Sequence, residues 1–344
     1  MIKIKRAFII VLCLCFAFAV VSCAKEEQNN NKINESESAG QSQTAENSEK
    51  PVIKDEYKPK VLTLKGPTGM GMTYLMDDNS DKYDIEIAST PDDVVSAFAS
   101  GNCDIAAVPI NLAAALYNKL DGKVRMTAIN TLGVLYIVEN GDTIKSIKDL
   151  EGKTLYATGQ ASTPEYIINY ILKKNGLKDV KVEYVQEHSE LTTMLAGNKA
   201  KIGMLPEPNV TTAMMKNKDL RIALNLTDEW SNISNAKLAQ GCLIARESFI
   251  NEHETVMKSF LEDYKNGIDK IFQNTETAAK SIAKNGIVPN EAIANKALPN
   301  CNIVFLTGED MIRISNEMFR VLFDANPKSV GGSIPKDDMY YIYK

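Results

Sequence analysis

The stretch AFASGNCDIAAVPINLAAALY, residues 97–117, decides the fold, because its plan returns as TMLAGNKAKIGMLPEPNVTTAMM, residues 193–215. In each, a helical pattern ends at Gly-Asn, a short apolar strand follows, and a proline precedes a second helical pattern. When the two stretches are aligned, Pro109 corresponds to Pro206 with an offset of one residue. The similarity of the two stretches is explained either by an internal repeat or by a plain alternation of strands and helices, and both interpretations remain open. Either interpretation predicts two α/β lobes with mostly parallel sheets flanked by helices, and a ligand cleft between them.

A second stretch, GPTGMGMT at residues 66–73, nearly matches the sequence motif of a phosphate-binding P-loop. Met72 stands where that motif requires the lysine that neutralises the outer phosphates, so we predict no nucleotide site. The stretch is instead predicted to be a glycine-rich turn that leads into a helix, whose free N–H groups bind a polar ligand. The loop TGQAST, which begins at Thr158, is predicted to be its counterpart in the second lobe.

The N-terminus has the features of an export signal. Residues 1–22 form a basic head, a short apolar run and a small residue before Cys23, which resembles a bacterial lipobox. This resemblance implies that Cys23 becomes the lipidated first residue, and a plain signal peptide with an incidental cysteine is the alternative. Residues 23–59 are almost entirely polar and are predicted to form a disordered tether. The protein is therefore expected in the cell envelope, outside the cytoplasm and anchored to a membrane.

Charge and cysteine content exclude several classes of protein. The formal net charge of −5 argues against nucleic acid or an acidic membrane surface as partner. Beyond Cys23, the chain has Cys103, Cys242 and Cys301, an odd number without metal-ligand spacing. We predict three buried thiols, and one disulfide plus one thiol remains the alternative.

The paired segments, together with LEGKTLYATGQASTPEYIINYIL and NPKSVGGSIPKDD, resemble the solute-binding proteins of ABC importers. The resemblance is to the nitrate, taurine and alkanesulfonate class, which includes carriers of thiamine-pyrimidine precursors. It implies a two-lobed type 2 periplasmic-binding fold. The pattern places lobe 1 at residues 60–138 plus 239–344 and lobe 2 at 143–227. Hinge crossings are expected at 139–142 and 228–238, and closure at such a hinge signals occupancy to the membrane partner.

The resemblance also implies which residues contact the solute. The implied contacts are Pro67, Thr68, Gly69, Met70, Ile110, Asn111, Thr131, Gly133, Gln160, Ser162, Thr163, Glu187, His188 and Glu207. No Arg or Lys is among them, which argues against dicarboxylates and phosphates. Glu187, Glu207 and Met70 favour a neutral or cationic organic solute with an apolar face, such as a heteroaromatic ring. A sulfonate or nitrate held at helix N-termini is the alternative, and a surface role for His188 and Glu207 is equally open.

These features predict a lipid-anchored receptor that closes around a small solute and delivers it to an ABC permease in the membrane. His188 and His253 are the only histidines, and no G-x-S-x-G turn or metal-binding pair of residues occurs, so we predict neither an enzyme nor a cofactor or metal. The protein's alternative role is that of a surface lipoprotein that binds another protein.

Overall fold

The computed structural model describes residues 55–342. Eleven strands lie in this part of the chain: β1 (Lys60–Thr63), β2 (Asp84–Ile87), β3 (Ile105–Pro109), β4 (Val124–Leu132), β5 (Leu135–Asn140), β6 (Thr154–Ala157), β7 (Lys181–Tyr184), β8 (Ile202–Pro206), β9 (Leu220–Asn225), β10 (Ala239–Arg246) and β11 (Ile303–Leu306). They form a six-stranded sheet in the order β11-β4-β10-β3-β1-β2 and a five-stranded sheet in the order β7-β6-β8-β5-β9. The two-lobed α/β fold class is confirmed.

Thirteen α-helices flank these sheets in the described residues: α1 (Pro67–Met70), α2 (Thr73–Asp78), α3 (Pro91–Ala99), α4 (Ile110–Lys119), α5 (Thr163–Lys174), α6 (His188–Ala196), α7 (Asn209–Lys216), α8 (Leu226–Ser231), α9 (Glu247–Glu252), α10 (Glu254–Gln273), α11 (Thr275–Lys284), α12 (Glu291–Ala297) and α13 (Gly308–Ala325). Short 3₁₀ helices occur at Ile147–Leu150, Leu298–Asn300, Pro327–Val330 and Asp337–Met339. The expected cap at Thr90 is present, since its hydroxyl accepts the N–H of Asp93 and the Asp93 carboxylate accepts the N–H of Thr90.

The sheets are mixed rather than mostly parallel. β1 pairs in parallel with β2 and β3, and β6 does so with β7 and β8. β10 runs antiparallel to β3 and β4, β11 to β4, and β5 to β8 and β9. The difference has a topological cause. β5 and β10 receive the chain from the other sheet and enter at the edge where the parallel strands end, so they must run against those strands.

The first passage between the sheets lies earlier than the predicted crossing at 139–142. β4 ends at Leu132 in the first sheet and β5 begins at Leu135 between β8 and β9 of the second, so residues 135–138 lie in the second sheet and not in the first. An apolar run identifies a strand, but it carries no information about which sheet the strand joins. The chain returns between Asn225 and Ala239, a segment that includes the predicted crossing at 228–238.

Apolar residues recur at helical spacing in residues 256–271 and 311–322, which predicts two helices that pack into the core, and the structure confirms this. The stripe of α10 and the stripe of α13 are buried throughout: Val256, Phe260, Tyr264, Ile268, Ile271, Met311, Ile314, Met318 and Leu322. The three cysteines Cys103, Cys242 and Cys301 are buried free thiols. Burial raises the pKa of the Cys103 thiol to about 12, so it remains protonated and behaves as a small apolar side chain.

The end of the predicted tether packs against the first sheet's helices. Tyr57 stacks on the His253 ring at 3.9 Å between centroids, and its hydroxyl donates to Asp104 at 3.1 Å. His253 also bonds Asp55 at 2.8 Å, so residues 55–59 belong with the folded body rather than with the tether. The predicted signal, Cys23 with its predicted lipid and most of the predicted tether lie outside the described residues. Within the described range, we find no helix with the length and apolar character needed to span a membrane.

Candidate functional site

The two sheets meet along the edges where their parallel strands end. The passages from β4 to β5 and from β9 to β10 fix which strand ends face one another. Since β1 and β3 run in the same direction as β4, their carboxyl ends lie at this boundary, opposite those of β6 and β8. Ligands in open α/β sheets bind beyond the carboxyl ends of strands, so this boundary, the interlobe cleft, is the candidate site.

One hydrogen bond joins predicted site residues across the interlobe cleft. Asn111, in the first turn of α4 after β3, accepts a hydrogen bond at 2.8 Å from the Thr163 hydroxyl. Thr163 is the first residue of α5, after β6 in the other sheet. The sequence TPEY at 163–166 predicts a helix capped by Thr163, but the N-cap of α5 is Ser162, whose hydroxyl donates to Gly159 O at 2.8 Å. The structure thus brings the loop at 158–163 against the segment that follows β3.

The loop after β1 turns at Gly66, whose positive φ of 87° suits glycine. Only one helical turn follows, with the N–H groups of Gly69 and Met70 bonded back to Gly66 O, both at 3.0 Å. Pro67 and Thr68 are half-buried, whereas Met70 is fully buried in the hydrophobic core. The helix that the sequence predicts after this turn is α2, which begins at Thr73.

Three polar side chains converge over the backbone of Gly241 in β10. A Cβ atom at Gly241 would lie 2.7 Å from Asn130 Oδ1, 2.8 Å from Thr68 Cγ2 and 3.1 Å from Thr131 Cβ. The buried amide nitrogen Nδ2 of Asn130 has no hydrogen-bond partner among the described residues. Sequence reasoning selected Thr131 and missed Asn130. The available signal was a lone amide in the otherwise apolar end of β4, where a buried donor requires a partner.

The second sheet contributes His188, at the start of α6. Its Nδ1 lies 2.7 Å from the Thr158 hydroxyl. His188 is exposed to solvent, yet desolvation by the surrounding protein lowers its pKa. Desolvation therefore favours the neutral form of the imidazole. Gln160 and Glu187 are exposed, and neither makes a side-chain hydrogen bond to another predicted site residue.

Glu207 follows β8 and is 1% exposed. Its carboxylate accepts hydrogen bonds at 3.0 Å from both the N–H and the hydroxyl of Thr211, and lies 3.4 Å from the amide of Asn300 in the segment before β11. Burial raises the pKa of Glu207 in spite of these hydrogen bonds. The peptide bond to Pro208 is cis, and a Cβ atom at Gly66 would lie 3.9 Å from Pro208 Cδ. Glu207 therefore lies at the junction of the two sheets.

Two further predicted contacts, Ile110 and Gly133, are closely packed. Ile110 is fully buried in the hydrophobic core, as Met70 is. Gly133 lies between the two passages of the chain. A Cβ atom there would overlap Thr227 and lie 3.0 Å from Leu238 Cδ2, so glycine is needed for their close approach. Gly133 therefore lies in the passage from β4 to β5 at the boundary of the lobes, whereas Ile110 packs in the core.

No group of His, Cys, Asp and Glu within residues 55–342 has an arrangement that could hold a metal ion. Instead, the interlobe cleft combines hydroxyl and amide groups with an imidazole of lowered pKa and a carboxyl group of raised pKa. Such a set can orient a small polar molecule by hydrogen bonds.

Comparison with known structures identifies the fold. An ABC transporter structure from Parabacteroides distasonis matches with a TM-score of 0.73 and 23% identity, covering 84% of this chain and 100% of that one. The periplasmic aliphatic sulphonate binding protein of Escherichia coli matches with a TM-score of 0.67 and 12% identity, over 83% and 92% of the two chains. The ligand-binding component of an ABC-type import system from Staphylococcus aureus matches with a TM-score of 0.61 and 15% identity, over 83% and 96%.

A search of curated protein sequences found no match. Residues 83–278, more than half of the chain, match the family model described as NMT1/THI5 like. The predicted resemblance to ABC-importer binding proteins is confirmed. The chain belongs to the NMT1/THI5-like family.

Proposed function

We propose that the protein is the lipid-anchored, extracytoplasmic solute receptor of an ABC importer, which closes its lobes around a small molecule and delivers it to the permease. The observation that carries this proposal is the 2.8 Å contact of Thr163 with Asn111, which links loops of the two sheets beside strand carboxyl ends. In a protein that signals by hinge closure, solute bound there bridges the lobes and stabilises the closed form.

The ionisable groups of the interlobe cleft favour a neutral or cationic organic solute. Desolvation lowers the pKa of His188 and raises that of Glu207, so the environment opposes charge on both. Hydrogen-bond donors and acceptors remain at Asn130, Thr131 and Thr163. A heteroaromatic ring with polar substituents matches such a site, because its donors and acceptors pair with side chains and no counter-ion is needed.

A monoanion is the second candidate. The relative from Escherichia coli is a sulphonate-binding protein by its description, which supports an alkanesulfonate, taurine or nitrate as solute here. Neither candidate is a dianion, since no Arg or Lys belongs to the set of predicted contacts. A surface lipoprotein that binds a protein partner is the third candidate, and it predicts no small molecule in the interlobe cleft.

Thermal stability with added ligand tests these candidates. The purified protein is heated with pyrimidines, thiamine, riboflavin, taurine, alkanesulfonates or nitrate. A ligand at a hundred times its dissociation constant stabilises the folded state by about 2.7 kcal/mol. The main proposal predicts a shift with a ring compound that is lost in Thr163→Val and Glu207→Ala. A rise in thermal stability that occurs only with sulfonates or nitrate supports the monoanion. No rise with any of these compounds contradicts both solute proposals.

Anchoring through Cys23 is tested separately, because that residue lies outside the described range. Wild type is expected in the membrane fraction of the producing cell and Cys23→Ser in the soluble exported fraction. Membrane retention of Cys23→Ser would contradict lipidation at this residue and would leave the solute proposal unaffected.

A further inference from the structure

A cavity of about 310 Å³ lies between α7, strand β9 and the segment from α12 to Asn300. This cavity, here called the α7 cavity, includes Glu207 in its lining but none of the other predicted solute contacts. Its volume is at the lower end of the range of about 300–1,000 Å³ that is usual for small-molecule sites. It therefore has room for a compact ligand, and Glu207 is the one predicted solute contact that borders it.

The walls of the α7 cavity are apolar. Leu220 and Ile222 are two positions apart on β9, so their side chains point to the same face of the sheet. Met214 and Met215 face them from α7, and both are only half-buried. Thioether side chains are flexible and polarizable, so they adapt to the shape of an apolar ligand.

The charged groups at the mouth of the α7 cavity are cationic. Lys218 and Lys296 line it, and both are exposed. Neither lysine forms an ion pair with another residue in the described part of the chain, and the Lys218 ammonium group makes only a 3.4 Å contact with Met214 O. Glu207 does not neutralise them, because its carboxyl group is buried and bonded to Thr211 and Asn300.

The α7 cavity is also shared by the two halves of the fold. α7 and β9 belong with the second sheet, whereas Ile293 and Ala294 of α12 are part of the core that packs on the first sheet. Met215 packs on that same core from the other side. A molecule in the cavity therefore touches both halves at a place that the solute contacts do not occupy.

We propose that the α7 cavity is a second binding site, for a small amphipathic carboxylate. The apolar chain lies along Met214, Met215, Leu220 and Ile222, and the carboxylate is held at the mouth by Lys218 and Lys296. Apolar burial supplies most of the affinity, and the two ammonium groups select the anion. This site is independent of the identity of the solute in the interlobe cleft.

The test is NMR of the full-length protein labelled with ¹³C at the methionine methyl groups. Met214→Leu and Met215→Leu assign the two resonances of the cavity, and fully buried Met70 serves as an internal reference. Sodium hexanoate is expected to shift both resonances saturably and to leave Met70 unchanged. 1-Hexanol and hexylamine, which match its chain without a carboxylate, are expected to bind at least about fivefold more weakly, the difference that two exposed ion pairs supply.

Variants distinguish specific binding in the α7 cavity from non-specific apolar binding. Lys218→Gln combined with Lys296→Gln is expected to weaken hexanoate binding about fivefold. Lys216→Gln, at the last residue of α7 and two positions before Lys218 but not in the cavity lining, is the matched control and is expected to bind as wild type. Ile222→Phe fills the cavity and is expected to abolish the shifts, and the lysine variants decide the question should this one fail to fold. Absence of a saturable shift, equal affinity for hexanol, or equal weakening by Lys216→Gln would overturn the proposal.

Discussion

Gly71→Ala tests how tightly the loop of residues 66–73 is held against α10. Gly71 has ordinary right-handed helical angles, φ −62° and ψ −21°, so alanine causes no backbone strain there. By restricting the unfolded chain, alanine alone would stabilise the protein by about 0.4–1 kcal/mol. The new Cβ, however, would overlap the Tyr264 hydroxyl oxygen and lie 2.9 Å from Cζ. Tyr264 is fully buried and cannot move aside, and overpacking of this kind costs about 1–3 kcal/mol.

The expected net loss is about 1–2 kcal/mol in the free energy of unfolding, or roughly 2–4 °C in Tm for each kcal/mol. Urea unfolding is followed by far-UV circular dichroism and by the fluorescence of Trp230, and the two transitions should coincide. Tyr264→Phe removes the overlapping oxygen, which has no hydrogen-bond partner among the described residues, so the double variant should regain more than half of the loss.

Gly267→Ala is the matched control on the same helix, α10. Its Cβ would lie 3.2 Å from the flexible end of Leu75, and alanine favours the helix, so its stability should stay within about 1 kcal/mol of wild type. Equal stability of Gly71→Ala and wild type, or a double variant no better than Gly71→Ala, would refute the steric argument.

Three further predictions concern the junction of the sheets. A double-mutant cycle of Asn111→Ala and Thr163→Val, measured by urea unfolding, should give a coupling energy of about 0.5–1.5 kcal/mol, and additive losses would contradict the hydrogen bond. Burial raises the pKa of Glu207 above its ordinary 4.5, so the folded state binds more protons than the unfolded state at and above that pH. The free energy of unfolding, measured relative to Glu207→Gln, should therefore fall as the pH rises from 4.5. A difference that stays constant with pH would exclude the pKa shift. Trp230 is fully buried with its N–H bonded, so iodide should not quench its emission before unfolding, and strong quenching would place it at the surface.

The sequence was sufficient for most elements of the fold, because their signals are local. The strands Ile105–Pro109 and Ile202–Pro206 both end at the aligned prolines, and the capping box at Thr90 begins a helix as predicted. The stripes of α10 and α13 are buried because helical periodicity places their apolar side chains on one face. Such features depend on residues a few positions apart, and one sequence records them directly.

The positions of the sheet passages and of the site residues were harder to predict. Leu135 follows β4 by only three residues, yet it lies in the other sheet, since strand pairing depends on partners far along the chain. Met70 and Ile110 occupy predicted contact positions but are buried in the core, and Asn130, which sequence reasoning missed, lies beside Thr131 with an unpartnered amide. Whether a loop residue faces a cleft or a core depends on the fold of the whole lobe.

By itself, the sequence determined the α/β class, the two-lobed plan, the buried cysteines and the family resemblance, since periodicity, helix caps and apolar runs are local properties of the chain. Only the tertiary structure decided that Thr163 meets Asn111 across the interlobe cleft and that Glu207 is buried beside Asn300 with a raised pKa. The physical reason is that hydrogen bonding and desolvation act through space, between residues that the chain separates by tens of positions.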